Sequence, residues 1–519
     1  MSATNPARVH HSTSAMPRRQ SSLPRAIRSG RARLPAPALL ALGLLAGALP
    51  GTARADAFER DWCEVDAGEL RLISDHPRPA AENMAVLLQR FRPVAQSYLP
   101  GSANADEAPL TVVVFAGRRD FHRAIGGRDV VGYMQPSFSG SLMVVGPDPH
   151  AHREHESLLH EYVHYLLRTR RELNIPPWFD EGLAGLLSSA YVEDGRMAVG
   201  SLPQRAMERA IRDARLSLGD VLAAEDLWEW HPRRRRSFYA WSRLLVHRLM
   251  LGHAAERDDY RGALTELLRG GHAGLPEALQ VSAPALERRL MRYLERAPEV
   301  RHSAPPPQSM KMTYRCLEES EKVARLSLAI LPHNPDEAAR KLRASIDADP
   351  DDAALWTALS LAEEGRGERQ ASLAAARHAI YLAPDDVSAS VRLAGALAMG
   401  CSLEVSAECR ARWQEAVPLL RQALRRDPRR QDAIFTLGLA YLYSGRAGDA
   451  LNYLRIAHQR QPWAPQVNFY LGESYRLIGD SRAAGHLQRA QRWSPTELWR
   501  KLAEAGLELL NDPRGGTPG

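Results

Sequence analysis

Pro350, Pro384, Pro428, Pro462 and Pro495 recur at intervals of 34, 44, 34 and 33 residues. A fixed period of this length means one supersecondary unit repeated, each copy too small to bury its apolar face alone. Between the prolines, small and apolar residues keep fixed places. Leu437, Gly438, Tyr441, Ala450, Leu454 and Ala457 precede Pro462, and Trp356, Leu359 and Ala379 precede Pro384. The third unit keeps Ala416, Leu420 and Ala423 before Pro428 if about ten residues are inserted between its helices, and that insertion contains Cys401 and Cys409. Small residues let paired helices approach closely, and stacked pairs bury a continuous core and leave a concave face. Such a face can hold a peptide segment, or the array can be purely structural.

The 34-residue spacing and these positions resemble tetratricopeptide repeats. The resemblance implies an all-α solenoid over residues 317–510 and a protein partner or peptide on its concave face.

A second constraint lies upstream, in Leu158-Leu159-His160-Glu161-Tyr162-Val163-His164-Tyr165-Leu166-Leu167. Residues four apart share a helix face, so His160 and His164 can aim two imidazoles at one ion. Glu161 sits one step round, able to reach a water without acting as a ligand. A catalytic zinc takes three protein ligands and keeps one position open, so this pair needs a third. Glu181 follows His164 by seventeen positions, within Trp178-Phe179-Asp180-Glu181-Gly182-Leu183-Ala184, and is the candidate; Asp180 is the next. Pro176-Pro177 predicts the end of the first helix and a second helix starting near Asp180, with Glu181 in its first turn. The run 158–167 is apolar nearly all round, which predicts a buried helix. Buried imidazoles and carboxyls need partners, and a metal supplies them; a purely structural histidine pair is the competing reading.

The stretches HEYVH and WFDEGLA resemble the gluzincin metallopeptidases, in particular the peptidase MA-like group. They are also similar to the zinc aminopeptidases, whose third ligand lies in an Asn-Glu-Gly-Phe-Ala stretch. The resemblance implies one zinc per chain held by His160, His164 and Glu181, with Glu161 as general base for a zinc-activated water that hydrolyses peptide bonds. Asp180 stands where the aminopeptidases have Asn. Gly185 stands where thermolysin-type enzymes carry an Asp, so the carboxylate that orients the histidines must come from elsewhere. The aminopeptidases use a downstream Tyr as oxyanion donor, and Tyr239 lies at a broadly similar distance, near the start of a helix predicted over 237–249; a core or surface tyrosine is the competing reading. In the resembled families a strand near the active-site helix pairs with extended substrate. Ser141–Val145 is the candidate for that β-augmentation, against an ordinary sheet strand.

The remaining signals set the context. Residues 83–98 have helical spacing, 111–115 read as a buried strand, 120–125 as a short helix, and 204–296 as all helical. His150, His152 and His155 read as a loop and helix start rather than a second metal site. Residues 1–55 contain eight Arg and no Asp, Glu or Lys, with an apolar run at 38–49 and Ala53-Arg54-Ala55 after it. That is a secretory signal peptide cleaved near Ala55, its core too short to span a bilayer. The mature chain is expected in the periplasm or outside the cell, with no membrane span.

The whole chain carries 68 basic and 61 acidic side chains. The leader's eight arginines account for the excess, so nothing argues for nucleic acid; the arginines at 233–236 read as a solvated turn. Cys63, Cys316, Cys401 and Cys409 permit two disulfides in an exported chain. Cys401–Cys409 is favoured as a loop staple, with Cys63–Cys316 tying the start of the mature chain to the linker, though three connectivities are open.

The chain thus reads as a signal peptide (1–55), an α+β metallopeptidase domain with a small sheet and an HExxH helix (56–296), a Pro-rich linker (297–316), an all-α tetratricopeptide repeat solenoid (317–510) and a short tail (511–519). All zinc ligands lie upstream of the linker, so the first domain is expected to cleave short peptides alone while the repeats recruit substrate or partner. The alternative is a repeat chaperone or scaffold with a silent peptidase domain.

Overall fold

The computed structural model describes residues 56–100, 110–127, 130–135, 140–148, 155–170, 175–224, 227, 230–252, 254–268, 274–302, 311–398, 401, 406–462, 464–493 and 497–511. Residues 1–55, read above as a leader, and His150 and His152 lie outside the described residues. Ala55–Gly519 cluster as one compact unit.

Nine strands are present among the described residues: β1 (Cys63–Asp66), β2 (Leu70–Ser74), β3 (Leu110–Val114), β4 (Gly132–Gln135), β5 (Ser141–Val145), β6 (Tyr191–Glu193), β7 (Arg196–Val199), β8 (Val300–His302) and β9 (Thr313–Cys316). The helices of the first region are α1 (Arg78–Gln96), α2 (Arg118–Ile125), α3 (Glu156–Arg168), α4 (Pro177–Leu187), α5 (Gln204–Ala214), α6 (Leu218–Leu222), α7 (Pro232–Leu251), α8 (Ala254–Leu268), α9 (Leu275–Ala278) and α10 (Ala283–Leu294). Those of the second are α11 (Glu319–Ile330), α12 (Pro335–Ala348), α13 (Ala353–Gly365), α14 (Arg369–Leu382), α15 (Val387–Ala398), α16 (Ala407–Arg426), α17 (Gln431–Tyr443), α18 (Ala447–Arg460), α19 (Pro465–Leu477), α20 (Arg482–Trp493) and α21 (Glu497–Asn511).

The larger sheet has the order β4-β5-β3-β2-β1-β9, and β6-β7-β8 form a smaller one. β2, β3 and β5 run parallel; β4, β1 and β9 are antiparallel to their neighbours. Parallel strands are normally covered on both faces, and the alternation here shows how. Val112, Val114, Met143 and Val145 point into one core with Leu88 and Phe91 of α1 and Leu159 and Val163 of α3. Ile73, Val113 and Val144 point into another with Phe121 of α2, Val323 and Leu326 of α11, and Leu342 of α12. The first repeat hairpin is therefore the cover of one sheet face.

That packing changes the reading of the chain in two places. The stretch 297–316, read as a linker, carries β8 and β9. β9 pairs with β1 in the register Cys63↔Cys316, and these two cysteines are disulfide-bonded. The Lys341 ammonium of α12 also pairs with Asp56 and sits 4.8 Å from the Phe58 ring centroid. A first region independent of the repeats, as the sequence suggested, does not match this shared core. The second change concerns β5. Ser141–Val145 is a strand as expected, but β3 and β4 pair with both its edges, so it has no free edge for a substrate. The sheet ends at β4.

Beyond α12 the hairpins α13/α14, α15/α16, α17/α18 and α19/α20 stack in order, and α21 follows. The close approach of paired helices is visible at Gly438 and Gly472, where a Cβ would come within 2.9 and 2.8 Å of Leu454 and Leu487 side chains. The insertion in the third unit is absorbed partly by a longer helix: α16 has 20 residues, against 14 in α12, α14 and α18. Ser406 caps it by accepting from the Cys409 N–H at 3.1 Å, and the Cys401–Cys409 disulfide closes the loop before it. The two disulfides are compatible with an exported protein. Among the described residues no helix is long and apolar enough to cross a membrane.

Candidate metal centre

The centre is built on α3 and α4, and α3 is held by apolar burial. Leu159, Val163 and Leu166 point into the core, which turns His160 and His164 the other way, towards α4. Pro177 opens α4 at its first position, where its missing N–H is no loss. The helix therefore begins earlier than the sequence suggested, and Glu181 falls in its second turn. The neighbouring Gly182 fixes the height of that turn. A Cβ there would lie 2.4 Å from the Ser242 carbonyl oxygen and 2.6 Å from Val246, so α4 presses directly on the backbone of α7.

The structure brings the three expected ligands together. His160 Nε2 and His164 Nε2 are 3.2 Å apart; Glu181 Oε2 is 3.2 Å from the first and 3.7 Å from the second. Tetrahedral ligands about 2.0–2.1 Å from a zinc stand roughly 3.3 Å from one another. Two imidazole nitrogens and one carboxylate oxygen at these separations fit a zinc ion and leave a fourth position free. Glu161 lies against the edge strand: a Cβ on Gly132 of β4 would come within 2.9 Å of Glu161 Cγ.

Asp180, weighed from sequence only as a substitute ligand, takes a different role. His164 Nδ1–H donates to Asp180 Oδ1 at 2.7 Å, which leaves the Nε2 lone pair facing the other ligands. Arg168 pairs with the second oxygen of Asp180. Asp180 is thus the orienting carboxylate that Gly185 could not supply, and Arg168 is its anchor. The sequence spacing allowed both roles without deciding them. Arg168 is one helical turn beyond His164, and Asp180 precedes the ligand glutamate by one residue.

The electrostatics favour positive charge at the centre. Burial alone would raise the Asp180 carboxyl, but Arg168 and His164 hold it well below the usual carboxylate range. Burial likewise opposes ionisation of Glu181, yet His164 and His160 hold it down at about 2. Burial disfavours a charged His164, but Asp180 and Glu181 overcome that and push it well above the ordinary imidazole value. Glu161 moves the other way: burial raises it, with Glu181 and Asp180 adding to the rise against the two histidines. Two neighbouring carboxyls driven apart in this way suit different roles.

Tyr239 lies on α7, which packs against α4. The residue is 41 % exposed. Burial of the hydroxyl raises its pKa, and Glu181 and Glu161 raise it further, so the phenol lies within electrostatic reach of the centre. His155 starts α3 in a left-handed conformation, φ 65°.

No family model matches the chain, and no curated protein matches it. Solved structures do. The thermophilic tetratricopeptide repeat protein TTC0263 of Thermus thermophilus is 19 % identical with a TM-score of 0.32, over 37 % of this chain and 100 % of its own. MamA MSR-1 is 24 % identical with a TM-score of 0.26, over 33 % of this chain and 92 % of its own. YrrB, described as a repeat protein of the same type with an unusual peptide-binding site, is 13 % identical with a TM-score of 0.27, over 36 % of this chain and 92 % of its own.

Proposed function

We propose that the chain is an exported zinc-dependent peptidase whose repeats hold substrate or a protein partner. The observation that carries this is the separation of three ligating atoms, 3.2, 3.2 and 3.7 Å, with the Glu161 carboxyl on the same helix beside them. His160, His164 and Glu181 would hold the zinc. When bound, zinc supplies Lewis acidity, polarising a carbonyl and making water nucleophilic near neutral pH. Glu161 takes the proton of the attacking water and returns it to the leaving amine. Its raised pKa suits a group that must hold a proton between those two steps. Asp180, anchored by Arg168, keeps His164 in the tautomer that presents Nε2. The Tyr239 hydroxyl donates to the oxyanion of the tetrahedral intermediate. With β5 enclosed, β4, the edge strand beside Glu161, can pair with an extended substrate.

The test is metal content of the purified mature protein together with hydrolysis of an unstructured protein, with and without chelator. Chelator-sensitive hydrolysis by a zinc-loaded chain supports the reading; a zinc-free, inactive chain overturns it.

A second reading is a repeat scaffold or chaperone with a silent peptidase domain. What favours it is the array itself, four hairpins stacked in order beyond α12, and the repeat proteins among the solved structures this chain is similar to. Partner capture by a chain that binds zinc but cuts nothing would decide for it.

A further inference from the structure

α7 opens with Arg233, Arg234, Arg235 and Arg236 and has no acidic residue in its first turn. The four do not share one environment. Arg233, Arg234 and Arg236 are exposed, and Arg235 is half-buried. Arg234 lies over the Trp230 ring, 4.2 Å from its centroid. Arg235 has no carboxylate partner among the described residues. A partly desolvated guanidinium without an anion, among three like charges, is a costly arrangement.

Its place on the helix says where the anion would come from. Positions 235, 239, 242 and 246 fall on one face by helical periodicity. Ser242 and Val246 on that face are the residues that meet Gly182, next to Glu181. Arg235 and Tyr239 extend the same face beyond that contact. The electrostatics agree, because Arg235 lowers the Tyr239 phenol while Glu181 and Glu161 raise it. Arg235, Glu181 and Glu161 therefore all lie within electrostatic reach of the same phenol.

Resting on the peptidase reading, we infer that Arg235 is a specificity residue that selects peptides carrying a carboxylate beside the scissile bond. The planar guanidinium fork matches a carboxylate in a bidentate pair, which an ammonium or an amide does not reproduce. The carboxylate can be an Asp or Glu side chain or the peptide's own C-terminus; the chemistry is the same. Arg235 bonds the substrate and takes no part in proton transfer.

The test uses the full mature chain with Glu161→Gln, so that peptides bind uncut. Matched fluorescent peptides carry Glu or Gln next to the cleavage position, each with a free or an amidated C-terminus. Dissociation constants are read by anisotropy. The acidic peptide should bind about 10-fold more tightly than its neutral twin, the worth of one charge-assisted bond. Arg235→Gln should erase the difference, Arg235→Lys should keep part of it, and Arg233→Gln, on the exposed side, should leave it whole. Loss of the preference on amidation alone identifies the C-terminus as the source; loss on Glu-to-Gln replacement in the peptide alone identifies the side chain. Equal binding of acidic and neutral peptides, or a preference that survives Arg235→Gln, overturns the inference. Because binding is read without turnover, a wild-type chain that cleaves nothing would remove the peptidase reading and still leave Arg235 decided.

Discussion

The pair α3/α4 and the pair α17/α18 are both helices in close contact, and they are held by opposite means. In α17/α18 the contact is made by Gly438, Ala450, Leu454 and Ala457, all buried or small, with no ion pair between the two helices among the described residues. In α3/α4 the contact carries His160, His164, Arg168, Asp180 and Glu181. Burying that many charges gains little over apolar packing and is costly when one partner is lost. The array is thus built to be extended, and the site is built to hold something. The sheet joins them, because one of its faces is covered by the first repeat hairpin.

The largest effect tests that joint. A chain ending at Arg296 loses β9, Cys316 and the α11/α12 cover over Val113 and Val144. It should not fold, as read by near-ultraviolet circular dichroism and solubility. Short-peptide turnover at the full-length rate would show instead that the two regions are independent. Next, Glu161→Gln should lower kcat by about 10²–10⁴-fold with zinc retained, whereas Gly438→Ala in the array should cost about 1–3 kcal/mol of stability by overpacking and leave zinc affinity unchanged. A loss of zinc in the array variant would break the contrast. Tyr239→Phe should lower kcat by about 10²–10³-fold with KM unchanged; turnover within about twofold of wild type, far below that range, would return Tyr239 to a packing role. Asp180→Asn should weaken zinc binding by about 10–100-fold, measured by competition with a chelator.

Acid sensitivity falls on both regions. Burial holds His247 down at about 4 against an ordinary 6.5, and His486 in the array down at about 3, with His458 contributing. Each folded-state imidazole therefore stays neutral where the unfolded chain would take a proton. Stability is full above pH 6.5 and falls as pH drops towards 4, by up to about 3 kcal/mol for His247. Its neutral ring is fixed at both ends, donating to Gly200 O and accepting from Tyr293, each at 2.8 Å. Stability at pH 5 relative to pH 7.5 should recover in His247→Gln and in His486→Gln. If the regions form one cooperative body, both variants shift the same transition; two separate transitions would divide it.

What the sequence revealed and what it concealed follow the same division. The repeats were legible because period is a local property, and even the insertion before α16 could be placed from Cys401 and Cys409. Ligand spacing was legible because helix geometry relates His160 to His164. The role of Asp180 was not, because a carboxylate one residue before a ligand can point either way until α3 and α4 are docked. The edge of the sheet was also hidden. Ser141–Val145 has the stronger strand pattern, but pairing with β3 and β4 depends on residues far apart in the chain. For the same reason Thr313–Cys316 was read as linker: Cys316 pointed to Cys63 as a disulfide partner, but nothing local announced a strand that closes the sheet.

Zinc content measured by mass spectrometry alongside peptide hydrolysis, on the mature wild-type chain and on Glu181→Ala, tests the central claim most directly. Glu181 is the proposed ligand that joins α4 to the helix of the two histidines, so the three-ligand centre stands or falls with it. The account predicts one zinc per wild-type chain, hydrolysis abolished by chelator and restored by zinc, and loss of both metal and turnover in Glu181→Ala. A Glu181→Ala chain with full zinc occupancy, or a wild-type chain whose hydrolysis ignores the chelator, would contradict it.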